Sequence, residues 1–342
     1  MDARTKRTLR RVAGRTYLCF LVALAALVTW DATVGAHRGI PARTGAAGQP
    51  GNLEDALLDT SVPRNGAQPL SCETGAQLKM LGPLREASGL TLSRRTPGVL
   101  WSMNDSDGPV VVPISTNGDP MGAVKITGAM VTDWEAFATG PCASGSCLYV
   151  GDIGDIHGDG KRLELTIYRV PEPAPGDAAS AKADALVLDY PDKGHDAEAM
   201  FVTPDATIYI ATKGHPTELF RVPRSAKPGS VEVLEHVATL PLDKFLDDQD
   251  KRRTRVTDAE ISPDGTWVML RTNVELLLYR TADLIAGHST PVWHADLHAL
   301  DETQGEGVAF TGNGDVYLAG EGGGHGLPGT FVHITCELPR PS

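Results

Sequence analysis

Five short segments share a spacing that could assemble metal or ligand chemistry. They are Glu86-Ala-Ser88-Gly-Leu, Asp133-Trp-Glu135-Ala-Phe, Asp196-Ala-Glu198-Ala-Met, Arg255-Val-Thr257-Asp-Ala and Gln304-Gly-Glu306-Gly-Val. Side chains two apart on an extended strand share a face. Arranged about one axis, the third positions Ser88, Glu135, Glu198, Thr257 and Glu306 make one ring. The first positions, Glu86, Asp133, Asp196, Arg255 and Gln304, make a second. The turn Ser262 to Gly265 sets Thr257 in register in the fourth segment, whereas a shift of one residue substitutes Asp258. Converging carboxylates raise each other's pKa unless something neutralises them. A hard cation fed by carboxylate and hydroxyl oxygens does so, and flexible oxygen geometry favours Ca2+ over Mg2+. The competing reading bonds these acids to amides of neighbouring segments or to Arg255.

Each segment is followed by a turn and an apolar strand that ends in a polar residue. Those strands run Val99 to Met103 before Asn104, Leu148 to Gly151 before Asp152, Ile208 to Thr212 before Lys213, Trp267 to Leu270 before Arg271, and Val316 to Gly320 before Glu321. A recurring unit of this kind predicts an all-β, five-bladed β-propeller, since one unit alone cannot bury its apolar faces. Further apolar stretches complete the units: Val110 to Ile114 and Ala123 to Thr127, Leu165 to Val170 and Ala185 to Tyr190, Glu218 to Val222 and Val231 to Leu240, Glu275 to Arg280 and Pro291 to Ala295. The fifth unit has only Thr330 to Cys336 after its first two strands, so Cys72 to Leu81 is expected to supply the missing strand and close the ring. Asp243 to Arg253 is a charged insertion, expected as a short helix or an exposed loop.

The strand-end residues Asn104, Asp152, Lys213, Arg271 and Glu321 are expected to ring one channel mouth, with His157, His215 and His325 in the loops beside it. Lys213 and Arg271, on adjacent blades, could receive an anionic group, with histidine available for proton transfer. The histidines read equally well as solvated loop residues. Asp105-Ser-Asp107-Gly108 and the run Asp155 to Gly160 read as turns, because neither carries the twelfth-position glutamate of a calcium loop.

A basic start ending at Arg15 precedes 15 uncharged, mostly apolar residues, Thr16 to Trp30. That is short for a bilayer span and reads as a signal peptide with a cut after Ala36; an uncleaved signal anchor is the alternative. Residues 37–70 read as a flexible tether and 71–342 as the propeller. Cys19 lies in the apolar run. The other cysteines, Cys72, Cys142, Cys147 and Cys336, form an even set in an oxidising compartment, predicting bonds Cys72–Cys336 and Cys142–Cys147. The chain carries a net charge of −12. Beyond residue 36 it holds 25 basic against 41 acidic residues, a surface that repels phosphate backbones and argues against nucleic acid.

The ring order Ser88, Glu135, Glu198, Thr257 and Glu306, with Glu306-Gly-Val-Ala-Phe in the last blade, resembles the calcium-activated nucleotidases (apyrases). That resemblance implies an axial calcium in a five-bladed propeller. The blade openings are also similar to the SdiA-regulated family of exported bacterial propellers. An uncharacterised bacterial group is similar too, in Asn104-Asp105-Ser106, Asp133-Trp134-Glu135 and Gly151-Asp152-Ile153-Gly154-Asp155, over nearly all of residues 84–320. Where the nucleotidases carry Asp-Asp-Arg-Thr-Gly, this chain has Asp105-Ser106-Asp107-Gly108, without the arginine. Two functions follow. One is an exported propeller that binds a small anionic ligand or a cell-envelope partner, touching membrane only through an uncleaved N-terminus. The other is a calcium-dependent hydrolase of phosphate or carboxylate esters, although no strong catalytic motif is present.

Overall fold

The computed structural model describes residues 72–74, 79–158, 160–246, 250–323 and 327–338. The chain divides into two compact units after Gly51, and all of these residues lie in the second. The signal and tether segments, Cys19 and His325 lie outside the described residues.

Five sheets, antiparallel among their principal strands, follow one another along the chain. Blade 1 comprises Ala87–Leu92, Val99–Asn104, Val110–Ser115 and Val124–Thr127. Blade 2 comprises Trp134–Pro141, Ser146–Asp152, Glu164–Pro171 and Asp184–Asp189. In blade 3 the strands are Ala197–Val202, Ile208–Thr212, Thr217–Arg221 and Glu235–Leu240, and in blade 4 Val256–Ile261, Trp267–Thr272, Glu275–Arg280 and Trp293–Asp296. Blade 5 has Gln304–Phe310, Asp315–Glu321 and Gly329–Cys336. The first strands of successive blades touch in chain order, and that of blade 5 touches that of blade 1, so the ring is closed. This is the predicted five-bladed propeller.

Closure uses both ends of the folded region. Cys72–Thr74 and Lys79–Leu81 both pair antiparallel with Gly329–Cys336, as expected. Cys72 stands opposite Cys336 and is bonded to it, and Cys142 is bonded to Cys147 across a hairpin of blade 2.

Two outer strands depart from expectation. The predicted strand Val231 to Leu240 is divided at Leu234. Val231–Val233 runs parallel to Asp184–Asp189 at the edge of blade 2, and Glu235–Leu240 completes blade 3. Ala179–Lys182 likewise adds a parallel strand to Val124–Thr127 of blade 1. The insertion begins and ends in 3-10 turns, Leu242–Lys244 and Lys251–Arg253.

The core is divided into five apolar layers, one per seam. Trp101, Trp134 and Phe137 fill the seam of blades 1 and 2; Tyr149, Met200 and Ile210 that of blades 2 and 3. Phe201, Leu219 and Leu277 fill the third seam, Trp267, Trp293 and Phe310 the fourth, and Leu90, Leu100 and Phe331 the last. First and second strands face a neighbouring blade on both sides, which is why they read as nearly continuous apolar runs. Each large side chain so buried stabilises by about 1.5–3 kcal/mol.

Candidate functional site: the axial ring and its mouth

The first strand of every blade slips register at one place. Its pairing with the second strand shifts across Gly89, Glu135, Glu198, Thr257 and Glu306 in blades 1 to 5. A bulge leaves one residue unpaired and re-aims its side chain; in blades 2 to 5 that residue is the expected ring position. In blade 4 the bulged residue is Thr257 and not Asp258. In blade 1 the bulged residue is Gly89, and Ser88 stands one position earlier, donating from Oγ to Glu135 Oε2 at 2.9 Å.

Glu135, Glu198 and Glu306 form the acidic part of the ring. Burial, followed by the charges of Asp133 and Glu306, pushes the Glu135 carboxyl well above the ordinary range. Burial, followed by Glu306 and Glu135, does the same to Glu198. Glu306, whose carboxylate accepts from Gln304 Nε2 at 2.6 Å and Asn273 Nδ2 at 3.4 Å, is raised by burial to about 7. The cation among them is Lys213, which donates to Glu198 Oε1. Burial alone would lower the Lys213 ammonium, but Glu198, Glu306 and Glu135 outweigh it and hold the pKa up. Glu198 Oε2 is buried without a hydrogen-bond partner. The expected alternative partner, Arg255, is exposed and makes no such bond among the described residues. Thr257 donates to the Gly305 carbonyl at 3.1 Å.

Asp258 has a different use. Fully buried, it accepts from Leu90 N at 3.0 Å, Val308 N at 2.8 Å and its neighbour Ala259 N at 2.8 Å, stitching blade 4 to blades 5 and 1. Two residues on, Glu260 accepts from Thr91 Oγ1 of blade 1 at 3.1 Å, and burial raises its carboxyl to about 8.

Above the ring lie more acids. Burial, with Glu86 beside it, raises Asp105 to about 7. Burial, then Asp105, raises Glu321 to about 7, and burial, then Asp196, raises Asp133 to about 6. Glu86 accepts from Ser106 Oγ at 2.5 Å and Asp196 from Asp155 N at 3.0 Å. Gly154 sits so close that a Cβ there would lie 2.5 Å from Asp133 Oδ2 and 2.6 Å from Glu135 Cγ. Among the described residues no three acidic or histidine side chains are gathered closely enough to hold a metal ion as they stand.

Three residues of the expected mouth ring are engaged by neighbouring groups. Arg271 is fully buried, donating to the carbonyls of Gly307 and Ala319 and to Glu302, so it staples blade 4 to blade 5 and cannot clamp an anion. Asp152 accepts from Thr132 N, Asp133 N and Arg162, and holds the entry to blade 2. Asn104 bonds Asp107 within a turn and reaches across to Pro83 O and Glu86 N at the entry to the first strand. The register instead brings Asn273 to the place that Lys213 and Glu321 hold in their blades.

A cavity of about 460 Å³ opens at this mouth between blades 3 and 4, lined by Asp196, Lys213, His215, Lys251, Thr254 and Arg255 together with Gly214. His215 is 53% exposed and 3.9 Å from Asp243; His157 is exposed and does not line the cavity. Sequence reading missed Lys251. The signal was there: Lys251-Arg-Arg-Thr-Arg255 is a basic run in an acidic chain.

No family model matches the chain, and no curated protein matches it. Solved structures similar to it include the PQQ-bound aldose sugar dehydrogenase of Streptomyces coelicolor, at 13% identity and a TM-score of 0.46, over 81% of this chain and 100% of that one. The gluconolactonase XC5397 of Xanthomonas campestris is similar at 14% identity and a TM-score of 0.39, over 80% of this chain and 99% of that one. Kuenenia stuttgartiensis hydrazine synthase is similar at 17% identity and 0.37, over 77% and 64%. Likenesses of this degree carry no argument about chemistry.

Proposed function

We propose that this is an exported, ligand-binding propeller that takes a small anionic ligand in the cavity between blades 3 and 4. The observation that carries the reading is the pair Lys251 and Arg255, both exposed on the cavity wall with no side-chain partner among the described residues. A ligand carboxylate or phosphate would gain charge-assisted hydrogen bonds from this pair. A volume near 460 Å³ suits a small organic molecule. The two disulfides fit an oxidising compartment, and the N-terminal signal, with its tether, is the proposed route of export. Calorimetric titration with inorganic phosphate and citrate tests the site. The Lys251→Ala/Arg255→Ala variant should lose about 1.5–3 kcal/mol of binding per charged hydrogen bond, and unchanged affinity would remove the proposal.

Calcium remains the proposed ion of the ring, held by Glu135, Glu198 and Glu306 with Ser88 and Thr257 as neutral oxygens. The donor chemistry fits, since Glu198 Oε2 is buried without a partner and three acids face a single lysine. The present placement fits less well, because the Lys213 ammonium holds Glu198. The nucleotidase and SdiA-regulated resemblances belong to this reading. A hydrolase is the second function we carry, favoured by Asp105, Asp133 and Glu321, whose carboxyls near 6 to 7 are matched to proton transfer at neutral pH. Turnover of phosphoesters, lactones and carboxylate esters, measured with and without EDTA, separates enzyme from binder.

A further inference from the structure

At the far end of the inner strands, away from the mouth, a second cavity of about 550 Å³ lies between blades 1 and 2. Arg94 and Arg95 form one wall, in the turn that follows Ala87–Leu92; Ser144 and Ser146, in the Cys142–Cys147 hairpin, form another. Glu172 lies at its base, only 3% exposed. Its carboxylate accepts from Trp101 Nε1 at 3.0 Å, from Arg95 N at 3.1 Å, and from the hydroxyls of Ser93 and Ser146. One buried acid thereby fixes the arginine turn of blade 1, the cystine hairpin of blade 2 and the seam between them.

Both guanidinium groups are aimed by neutral oxygens. Arg94 Nε donates to Thr139 Oγ1 at 3.3 Å, and Arg95 Nη1 donates to the Glu172 carbonyl at 2.7 Å. Among the described residues neither forms an ion pair, and their remaining N–H groups make no hydrogen bond. In a chain with 43 acidic against 31 basic residues, two adjacent exposed arginines share one turn with no side-chain ion pair among the described residues, although the charge of Arg94 reaches the buried Glu260 carboxyl. Guanidinium forks match the paired oxygens of carboxylate and phosphate, and the cavity is large enough for a small molecule that carries such a group. We propose that this cavity is a second site, for a small oxyanion-bearing ligand, with Arg94 and Arg95 as its anion-binding residues.

The test is made in the Lys251→Ala/Arg255→Ala background, which removes the cavity at the mouth from consideration. Inorganic phosphate, a tetrahedral anion, and citrate, a carboxylate, are titrated separately by calorimetry up to about 10 mM, the limit at which weak saturable binding is measured. Saturable binding of at least one is expected, weakened about tenfold or more by adding Arg94→Gln/Arg95→Gln. Whichever anion binds more tightly identifies the oxyanion geometry. Arg95→Lys keeps the charge and loses the fork, so its affinity should fall between the two, and it decides the matter should the double substitution unfold. Non-saturable heats for both anions, or equal affinity with and without the two arginines, overturn the proposal without touching the reading of the mouth.

Discussion

Lys213 and Glu198 form an ion pair at the axis, joining the end of the second strand of blade 3 to the bulge in its first. Neither group could stay charged there alone, because burial opposes both. Replacing Lys213 by Met leaves Glu135, Glu198 and Glu306 with no cation among them and should cost about 3–5 kcal/mol in denaturant unfolding. The double variant Lys213→Met/Glu198→Gln should recover most of that loss. Equal stability of the Lys213→Met variant and wild type would mean that the ring is already neutral.

Calcium and Lys213 compete for the same carboxylates on this account. The Lys213→Met variant should therefore gain more melting temperature from Ca2+ than wild type does, and more from Ca2+ than from Mg2+. Glu198→Gln should weaken the response. A melting curve indifferent to Ca2+ and EDTA in all three proteins would leave the ring as a hydrogen-bonded structural feature.

Glu260 should make stability depend on pH. Its carboxyl is raised from 4.5 to about 8 by burial, so the folded state binds the proton more tightly than the unfolded chain. Its contribution is complete below about pH 4.5 and is lost as pH rises through about 8. The loss is on the order of 5 kcal/mol if no other group compensates. Glu260→Gln should flatten the fall in stability between pH 5 and 8, read from urea melts across that window, and should exceed wild type in stability at the upper end.

Arg271 should behave as structure. Truncation to Ala strands Glu302 and two carbonyls in the interior, at a cost of about 3–5 kcal/mol. The fraction that remains folded should bind anions at the mouth as wild type does. A selective loss of anion affinity at full stability would restore the clamp.

The Cys72–Cys336 bond closes a loop of 264 residues, for which chain entropy gives about 5 kcal/mol of stabilisation. Cys72→Ser/Cys336→Ser should lower the unfolding midpoint by far more than Cys142→Ser/Cys147→Ser, whose separation is 5 residues. Equal effects would show that ring closure does not depend on the covalent bond.

Blade number and ring closure were legible because each blade repeats an opening and an apolar run, and because the fifth blade is visibly one strand short. The bulges were not. A one-residue slip at Glu135 or Glu198 leaves every spacing in the sequence unchanged, so Ser88 looked aligned when Gly89 is the bulged residue. Arg271 and Asn273 could not be told apart for the same reason, and only register separates the buried staple from the mouth position. Gly305 and Gly307 hold a clue that reads backwards: Cβ atoms there would meet Arg271 and Leu90, so the glycines around Glu306 mark close approach of neighbouring blades. Ala179–Lys182 gave too weak a signal, because an alternation of only four residues, Ala-Ser-Ala-Lys, carries no bulky apolar side chain to mark a buried face.

That lent strand and its counterpart Val231–Val233 make the ring unequal around its circumference. Blade 2's connection reaches back to clasp blade 1, and blade 3's reaches back to clasp blade 2. Among the described residues no strand crosses from blade 4 to blade 3 or from blade 5 to blade 4. Parting blades 1, 2 and 3 breaks backbone hydrogen bonds as well as apolar contact, whereas parting blades 3 and 4 need not disturb a ladder. The mouth cavity lies on that unclasped seam. The propeller thus has a hinge side and a spine side, and amide exchange should report slower opening along the spine than at the seam where the anion enters.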